Sequence, residues 1–432
     1  MLRLANYLQM HGWATSVLTL DPAFYKHSIQ LDDALVRRAD PRLTIFRTGA
    51  FRGFTAIVRW RNQSLRRGAA AASPNGVRHT HVDRQSWKAW RRNVTRSLFG
   101  FPDDEIGWFG HAVMRGLRIV RRNQIDVVLS SSPPFTCHLI GYALRSICNV
   151  RWVADFRDPW SRTRWGKLYN ARAHRWLETQ VIKRADAVVL NTPELHREFA
   201  QWYGPDISSR FHVVANGYDA DILEPYAKVP PSAAPPLILT HAGNLYGARD
   251  PTPLLEGLAK CLHEGSVPSN GIRLNLVGKI ASVFDVDNAI TRLGLSGTVT
   301  RTLPVTHDES LRMLAASHVL VVIQPITRVQ VPAKLYEYVG LRRPILALAE
   351  DGAVARVIRD GDCGLVVSPT NVDGIATALT HLYRNHKTLI QASVGNARVA
   401  QYDARYQSET MAEILSNLVP VAATQVSPCL GD

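Results

Sequence analysis

The sequence lacks the short motifs that mark the commonest enzyme classes. It contains no GxxxxGK[ST], HExxH or GxSxG pattern and no protein-kinase signature. These patterns build the phosphate loop of P-loop NTPases, the zinc site of metalloproteases and the nucleophile turn of serine hydrolases. Phosphoryl transfer by a P-loop, zinc proteolysis and serine hydrolysis therefore lose their usual support.

Cysteines and long apolar runs are also scarce. The five cysteines are scattered, without a CxxC pair or a neighbouring histidine cluster. Neither a zinc site nor a disulfide framework is therefore indicated. No uninterrupted apolar run approaches the roughly 20 residues that span a bilayer, and the start lacks the long apolar centre of a signal peptide. We expect a cytoplasmic protein that does not cross the membrane.

One sign of charge dominates the chain. Lysine and arginine number 51 against 36 aspartate and glutamate residues, which gives a formal net charge of +15. Nucleic acid, anionic lipid and phosphorylated substrates are all candidate partners for such a chain. In SWKAWRRNVTRSLFGF, residues 86–101, aromatic and basic residues are interspersed. This mixture is typical of a membrane-interface segment, but a solvated helix with its aromatic side chains in the core fits equally well.

Short β-branched runs alternate with helical segments, which predicts parallel sheets covered by helices. Five runs precede a proline-rich stretch at 216–236 and five follow it: ATSVLTL, IDVVLSS, RWVADF, DAVVLNT and FHVVANG, then LILTHAG, IRLNLVG, HVLVVIQ, PILALA and GLVVS. The stretch is interpreted as a linker with a hinge near residue 230. The predicted fold class is α/β, with doubly wound domains at 1–225 and 226–400. A C-terminal helix and tail at 401–432 can cross back to the first domain.

The first domain departs from the usual pattern at its start. A doubly wound domain normally opens with a strand and a glycine-rich turn, whereas this chain opens with the helical segment LRLANYLQMHGW. The missing strand would be central in the sheet. Its absence leaves strand edges unpaired unless another segment fills the gap or the chain is truncated. Residues 51–104, rich in arginine and poor in strand signals, are interpreted as a basic insertion of loops and amphipathic helices.

Polar clusters in the first half follow predicted strands, where open parallel sheets bind ligands. Ser131 and Ser132 of SSSPPF end one strand and could line a pocket, although a plain turn explains them at least as well. Arg157 and Asp158 of DFRDPW end the next strand as an outward-facing pair, for which a structural salt bridge is the simpler interpretation. Trp160 of the same motif could stack on a sugar.

Clusters in the second half share glycine, basic side chains and helix starts. HAGNLYGARDP ends a strand at Gly243 and places Arg249 before a helix, where its guanidinium can bind a phosphate with two hydrogen bonds. LVGK again ends a strand at glycine. In VPAKLYEYVG a proline begins a helix that carries Lys334 and Glu337 near its N-terminus. Each motif is weak alone, but their shared placement after strands of one predicted domain favours a single site for an anionic ligand.

These residues resemble a known family. The order NGYD, HAGNLYG, LVGK, ESLRMLAASHVLVVIQP, VPAKLYEYVGLRRPILALAEDG and GDCGLVV resembles the retaining glycosyltransferases of family 4, which have the GT-B fold. VVLSSSPPFTCHLIGYAL and VADFRDPW resemble a bacterial branch associated with surface polysaccharide assembly. The resemblance covers nearly the whole chain. It implies two Rossmann-like domains facing a cleft, with the acceptor on the first and a nucleotide-sugar on the second.

The resemblance also implies an activity and its site residues. The reaction would be retaining transfer of a hexose from a UDP- or GDP-sugar to a lipid-linked or glycan acceptor, without a metal or another cofactor. Glu337 matches the second glutamate of the family's E-x7-E motif, which holds the ribose hydroxyls. Arg249 stands where a lysine clamps the diphosphate, Asn244 stands at the accompanying arginine, and Lys334 adds charge near the phosphates. The other expected donor-binding residues are Gly243, Gly278, Lys279, Val331, Pro332 and Ala333.

Further positions match structural turns or depart from the family. Asn216, Gly217 and Asp219 match an NGxD turn whose role is mainly structural. Val329 replaces the first glutamate of E-x7-E, and the catalytic-loop histidine aligns with Arg157, which puts Arg157 and Asp158 forward as substitutes. A catalytically silent GT-B homologue therefore stays an alternative. Nucleic-acid binding is a further alternative, but no RRM, helix-turn-helix or zinc-finger pattern is present, so nucleic acid is not an expected partner. In the enzyme hypothesis, the basic first domain holds the protein on the inner face of the plasma membrane.

Overall fold

The computed structural model describes residues 1–24, 38–51, 101–162, 170–231 and 235–419. The chain divides into two compact units: Met1–Leu190, Ala200–His212 and Glu409–Asp432 form the first, and Asn191–Phe199 and Val213–Ser408 form the second. The predicted boundaries after residues 225 and 400 differ from this division. Most of the predicted basic insertion, including its aromatic segment, lies outside the described residues.

The first unit contains two parallel ladders of strands. Its strands are β1 Ser16–Leu20, β2 Thr44–Thr48, β3 Val127–Ser132, β4 Arg151–Phe156, β5 Ala187–Leu190 and β6 Phe211–Val213. Strands β1 and β2 form one sheet, and β3, β4, β5 and β6 form a second in that order. The predicted absence of a central first strand stays a prediction.

Helices follow most strands of the first half. They are α1 Leu2–Leu8, α2 Phe109–Arg122, α3 Thr136–Cys148, α4 Ala171–Arg184, α5 Pro193–Tyr203 and α6 Pro205–Ser208, with 3₁₀ turns at Gln9–His11, Pro22–Phe24 and Ile106–Trp108. Helix α3 packs closely on the sheet, because a β carbon on Gly141 would lie 2.3 Å from Trp152 Nε1. That indole donates to Ser130 Oγ at 2.9 Å, and Ser130 bonds His138 Nδ1 at 2.8 Å. Burial lowers the pKa of His138 to about 3, so this core histidine is neutral.

The second unit is built on one six-stranded sheet. Its strands are β7 Leu237–Ala242, β8 Ile272–Val277, β9 Val299–Thr302, β10 Val319–Gln324, β11 Ile345–Ala349 and β12 Gly364–Val367. Their order is β12-β11-β10-β7-β8-β9, and all neighbours run parallel. Every residue of β10 and β11 is buried, as expected for a parallel sheet covered on both faces. The predicted fold class, two doubly wound α/β domains, is confirmed.

Most helices of the second half belong to the second unit, and the last of them ends in the first unit. They are α7 Ala220–Ala227, α8 Thr252–His263, α9 Val286–Arg292, α10 His307–Ala315, α11 Ala333–Gly340, α12 Ala353–Asp360, α13 Val372–Val394 and α14 Ala404–Leu418, with 3₁₀ turns at Ser282–Phe284 and Ala397–Tyr402. No helix in the described ranges is both long and apolar enough to cross a bilayer.

Helix α7 occupies part of the stretch predicted to be a linker. The Asp219 side chain caps it by accepting a hydrogen bond from the Ile222 amide at 3.4 Å, and Leu223 is buried in the core of the second unit. A β carbon on Gly217 would lie 2.8 Å from the Tyr402 carbonyl oxygen. The linker prediction counted Pro225 as a linker residue, but this proline lies within α7.

Strands β2 and β9 were not among the predicted strands. Both are short, and both leave side chains in solvent: Thr44 and Arg47 are exposed in β2, and Thr300 and Arg301 in β9. Neither strand therefore shows the continuous apolar run that marked the other strands.

Tyr338 joins helix α11 to strand β7. Its side chain is fully buried, and its hydroxyl accepts from the Ala242 amide at 2.8 Å and donates to the Ala242 carbonyl at 3.2 Å. A helix that carries charged residues near its N-terminus is thereby fixed to the carboxyl end of a central strand. We expect Tyr338→Phe to destabilise the second unit by about 1–3 kcal/mol, because the buried Ala242 amide loses its partner.

Urea denaturation of the second unit measures this change. Tyr383→Phe is the matched control, since Tyr383 is only partly buried in the same unit, and its free energy of unfolding should stay within about 0.5 kcal/mol of the wild type. Equal losses in the two variants would contradict the role given to the Tyr338 hydroxyl.

Candidate functional site

Three loops of the second unit meet at the carboxyl edge of its sheet. They follow β7, β8 and β10, which are neighbours in the sheet, and ligands of open α/β sheets bind at this edge. Gly278 has φ of 128°, and a β carbon there would lie 2.4 Å from the Gly243 carbonyl oxygen. Only glycine fits this close approach of two loops.

Asn244 and Lys279 lie together in this pair of loops. The Asn244 side-chain oxygen accepts from the Lys279 amide at 3.1 Å, and the Leu245 amide donates to the Lys279 carbonyl at 2.8 Å. The side chain of Asn244 therefore braces the loops. These contacts place four predicted donor-binding residues, Gly243, Asn244, Gly278 and Lys279, at one edge.

His241 lies buried beneath the glycine turn after β7. Its Nδ1 is 2.9 Å from the Val321 carbonyl oxygen, so Nδ1 carries the proton and donates. Burial lowers the pKa of His241 to about 4, with a further lowering from the charge of Arg249. The neutral ring leaves Arg249 as the cation of this loop.

Arg249 is oriented by two neighbours that sequence patterns did not single out. Its Nε donates to Gln324 Oε1 at 3.0 Å, and its guanidinium lies over the Tyr246 ring, 5.1 Å from the centroid. Gln324, the last residue of β10, is buried, and its amide nitrogen donates to Thr327 Oγ1 at 2.7 Å. The sequence did contain a signal for Gln324, because a glutamine at the end of an otherwise apolar strand needs a buried hydrogen-bond partner.

Glu337 has a partner on each carboxylate oxygen. Lys334 Nζ lies 2.8 Å from Oε2, and His307 Nε2 lies 3.4 Å from Oε1. Burial by itself raises the pKa of Glu337, but the hydrogen bond from His307 and the charge of Lys334 outweigh burial and hold the pKa below its ordinary value. Lys334 and Glu337, both predicted donor-binding residues, are thus in direct contact. His307 was missed because it lies thirty positions away and on another helix.

Residues 329–333 lead from β10 into α11. Val331 is buried, Pro332 is the N-cap residue of α11, and Ala333 is exposed. Val329, which replaces the expected first glutamate, is also buried, and its carbonyl accepts from Thr192 Oγ1 at 2.6 Å. An apolar side chain therefore fills the position at which the resemblance predicts a glutamate.

The prediction that Arg157 pairs with Asp158 is wrong. Arg157 Nε donates instead to Asp155 Oδ2 at 2.7 Å, and Ser131 Oγ donates to the same oxygen at 2.7 Å. Asp155 is fully buried on β4, whereas Asp158 is half-buried. Asp155 lies opposite Ser131 in the register of β4 with β3, and Arg157 follows two residues later, on the same side of the chain.

Two polar atoms of this first-unit cluster lack a hydrogen-bond partner among the described residues. They are Asp155 Oδ1 and Ser132 Oγ, both buried. Buried polar groups normally find a partner, so each such atom calls for an explanation. The structure therefore brings Ser131 and Arg157 of the predicted set together on Asp155, and Ser132 lies at the same strand end.

The suggested sugar-stacking role of Trp160 is wrong. Its side chain is fully buried, stacks on Phe135 with ring centroids 4.7 Å apart, and donates from Nε1 to His174 Nδ1 at 2.9 Å. Both its face and its polar atom are already used in the core. Trp160 is therefore a packing residue of the first unit.

Comparison with known proteins gives the relationship. The family model described as Glycosyltransferase Family 4 matches residues 72–222, and the model described as Glycosyl transferases group 1 matches residues 236–385. Residues 72–222 and 236–385 therefore each match a glycosyltransferase domain. D-inositol 3-phosphate glycosyltransferase from Mycobacterium tuberculosis is 27% identical over 217 residues, which are 48% of this chain and 43% of that protein. The chain thus matches less than half the length of this curated relative.

Solved structures of glycosyltransferases share the fold. Sucrose-phosphate synthase from Thermosynechococcus elongatus superposes with a TM-score of 0.61 and 15% identity, over 96% of this chain and 92% of that chain. HepE from Anabaena, in complex with UDP-glucose, superposes with a TM-score of 0.58 and 16% identity, over 93% and 99%. The glycosyltransferase domains thus have the predicted GT-B fold.

The lowered pKa of Glu337 makes a prediction about stability and pH. The unfolded carboxyl has its ordinary pKa of about 4.5, so ionised Glu337 stabilises the folded state fully above that pH. The contribution is lost as the pH falls through the lower folded pKa. We expect the stability advantage of the wild type over Glu337→Gln to be larger at about pH 6 than at about pH 3.5.

Urea denaturation at the two pH values measures the difference. Glu264→Gln is the control, because the Glu264 side chain is 54% exposed and exposed ion pairs contribute little to stability. An advantage of wild type over Glu337→Gln that did not depend on pH would contradict the inferred ionisation.

Proposed function

We propose that this chain transfers a hexose from a UDP- or GDP-sugar, with retention of configuration, to a lipid-linked or glycan acceptor in surface polysaccharide synthesis. The observation that carries the proposal is that Arg249 and the Lys334–Glu337 ion pair follow strands whose carboxyl ends share one edge with the touching glycine loops. Two cations suit a diphosphate, and a carboxylate suits the two hydroxyls of a ribose. The UDP-glucose bound to HepE, which shares the fold, supports a donor of this class.

The chemistry follows from these charges. The bond between the sugar's anomeric carbon and the diphosphate oxygen breaks, and the acceptor oxygen forms the new bond on the same face. The acceptor's proton passes to the departing diphosphate. Arg249 and Lys334 stabilise the negative charge that develops on that diphosphate. Because these side chains supply the positive charge, the proposal needs no metal or other cofactor.

The first unit supplies the proposed acceptor contacts. Asp155 Oδ1 and Ser132 Oγ are buried and lack partners among the described residues, and acceptor hydroxyls are partners of the right kind. Arg157 and Ser131 hold the Asp155 carboxylate in place through its other oxygen. Asp158 stays a proposed contact at the same strand end.

A membrane surface is the proposed location of the acceptor. The exposed face of α2 carries Met114 and three arginines, Arg118, Arg121 and Arg122. Helix α4 exposes Trp176 to 62%, together with Arg172, Arg175, Lys183 and Arg184. Basic residues bind anionic headgroups, and an exposed tryptophan inserts at the acyl boundary. These two helices support peripheral binding to an anionic leaflet.

A silent homologue is the second candidate, favoured by the buried Val329 in place of the expected glutamate. Turnover of a panel of UDP- and GDP-hexoses decides between the two, read by released nucleotide and by the anomeric configuration of the product. We expect wild-type turnover with one donor class, and a fall of kcat/KM by about 100-fold in Arg249→Ala and Glu337→Ala.

Arg273→Ala is the matched control, because Arg273 is an exposed cation on β8 of the same unit. Its kcat/KM should equal that of the wild type. Nucleotide binding without turnover of any donor would leave the silent homologue as the function. Absence of both binding and turnover would refute the glycosyltransferase proposal.

Vesicle co-sedimentation tests the membrane proposal. Replacing Arg118, Arg121 and Arg122 by glutamine should weaken binding to phosphatidylglycerol-containing vesicles by up to about 100-fold, because each basic residue near an anionic surface contributes about 1 kcal/mol. Glutamine at Arg273, Arg384 and Lys387, exposed cations of the second unit, is the control with the same charge change. Equal losses in both variants, or equal binding to pure phosphatidylcholine, would contradict a surface on α2.

A further inference from the structure

His307 lies against Glu337 although the two residues belong to different helices. His307 is the first residue of α10, and Glu337 lies in α11. Its Nε2 is 3.4 Å from Glu337 Oε1, while Lys334 Nζ is 2.8 Å from Oε2. The carboxylate is therefore held from two directions, once from its own helix and once from another element.

The two partners differ in how firmly they are fixed. Lys334 ends a flexible four-carbon stem, and its side chain is 34% exposed, so it can turn from Glu337 to a bound diphosphate. The backbone at His307 is anchored on both sides. Thr306 caps α10 by accepting from the Glu309 amide at 3.2 Å, and Asp308 accepts from the Tyr226 hydroxyl of α7. His307 therefore stays beside Glu337 when Lys334 moves.

We infer that His307 is the positioning residue for the ribose carboxylate: it keeps Glu337 in place and able to accept from both ribose hydroxyls while Lys334 binds the diphosphate. This inference rests on the proposed function, because it needs a nucleotide at this edge. The geometry leaves room for the ligand. Each carboxylate oxygen has two lone pairs, and one bond from His307 to Oε1 leaves the others available.

The charges around Glu337 give this arrangement a pH dependence. Several titratable groups lie on the helices beside α11: Asp221, Glu224 and Tyr226 of α7, His307, Asp308, Glu309 and Arg312 of α10, and Arg398 and Tyr402 of the turn Ala397–Tyr402. Tyr338 lies next to Glu337 in α11 itself. Burial raises the pKa of Glu337, and His307 and Lys334 are the groups that lower it. Loss of His307 therefore moves protonation of Glu337 to higher pH.

Paired nucleotides separate ribose binding from phosphate binding. Isothermal titration calorimetry on the full chain compares UDP with 2′-deoxy-UDP, and GDP with 2′-deoxy-GDP, between about pH 3.5 and pH 8. We expect the wild type to prefer the ribonucleotide, and Glu337→Ala to lose that preference. His307→Leu should reduce the preference by about 3- to 10-fold, the effect of one lost hydrogen bond. Its affinity for the ribonucleotide should also begin to fall at a higher pH than in the wild type.

Two further variants show what kind of contact is lost. His307→Gln keeps an N–H donor and should recover most of the ribonucleotide preference. Lys334→Met should reduce the gain in affinity from UMP to UDP and leave the preference for the ribose hydroxyl unchanged. Circular dichroism checks folding, and His307→Ala replaces His307→Leu if the leucine variant is unfolded.

The outcomes are distinguishable. An unchanged preference and pH profile in His307→Leu, beside a lost preference in Glu337→Ala, overturns the role of His307 and leaves the proposed function standing. If the wild type binds neither nucleotide pair, or if Glu337→Ala keeps the preference, the proposed function and this inference fail together.

Discussion

The candidate site depends on the hydrogen bonds between the Tyr338 hydroxyl and the backbone of Ala242. One side of that contact is β7, which leads into the glycine turn and Arg249. The other side is α11, which carries Lys334 and Glu337. These bonds are formed in the buried core, where a backbone amide without a partner costs more free energy than it would in water. This uncharged contact between Tyr338 and Ala242 therefore holds charged groups from distant parts of the sequence at one edge of the sheet.

The second unit was the more predictable half, and its sequence shows why. Its buried parallel strands appear as continuous β-branched runs, and loops at their carboxyl ends necessarily share one edge. That rule placed Gly278, Arg249, Lys334 and Glu337 at the same edge of the sheet. His307 and Gln324 could not, because their roles depend on which helix or strand packs beside them. Sequence periodicity shows which face of a helix or strand is buried, but it does not show which element packs against that face.

The first unit shows the limit of interpreting a motif residue by residue. In DFRDPW the sequence suggested that Arg157 would pair with its neighbour Asp158 and that Trp160 would be exposed. Asp155, on the strand itself, instead accepts hydrogen bonds from Arg157 and Ser131. The indole of Trp160 is buried in the core. A tryptophan buries a large apolar area, so an available cavity in the core outweighs a contact with a ligand. The motif marked the right place in the sheet but not the right residues within it.

Charge and burial act against each other throughout the candidate site. Burial alone raises the pKa of Glu337, and the structure opposes this with a cation and a histidine on opposite oxygens. Two neighbours of Arg249 are instead neutral. Burial keeps His241 uncharged, and Gln324 orients the guanidinium without neutralising its charge. A second carboxylate at Val329 would add negative charge to an edge that is proposed to receive a diphosphate. The buried valine at this position leaves that edge more positive, which suits the proposed diphosphate.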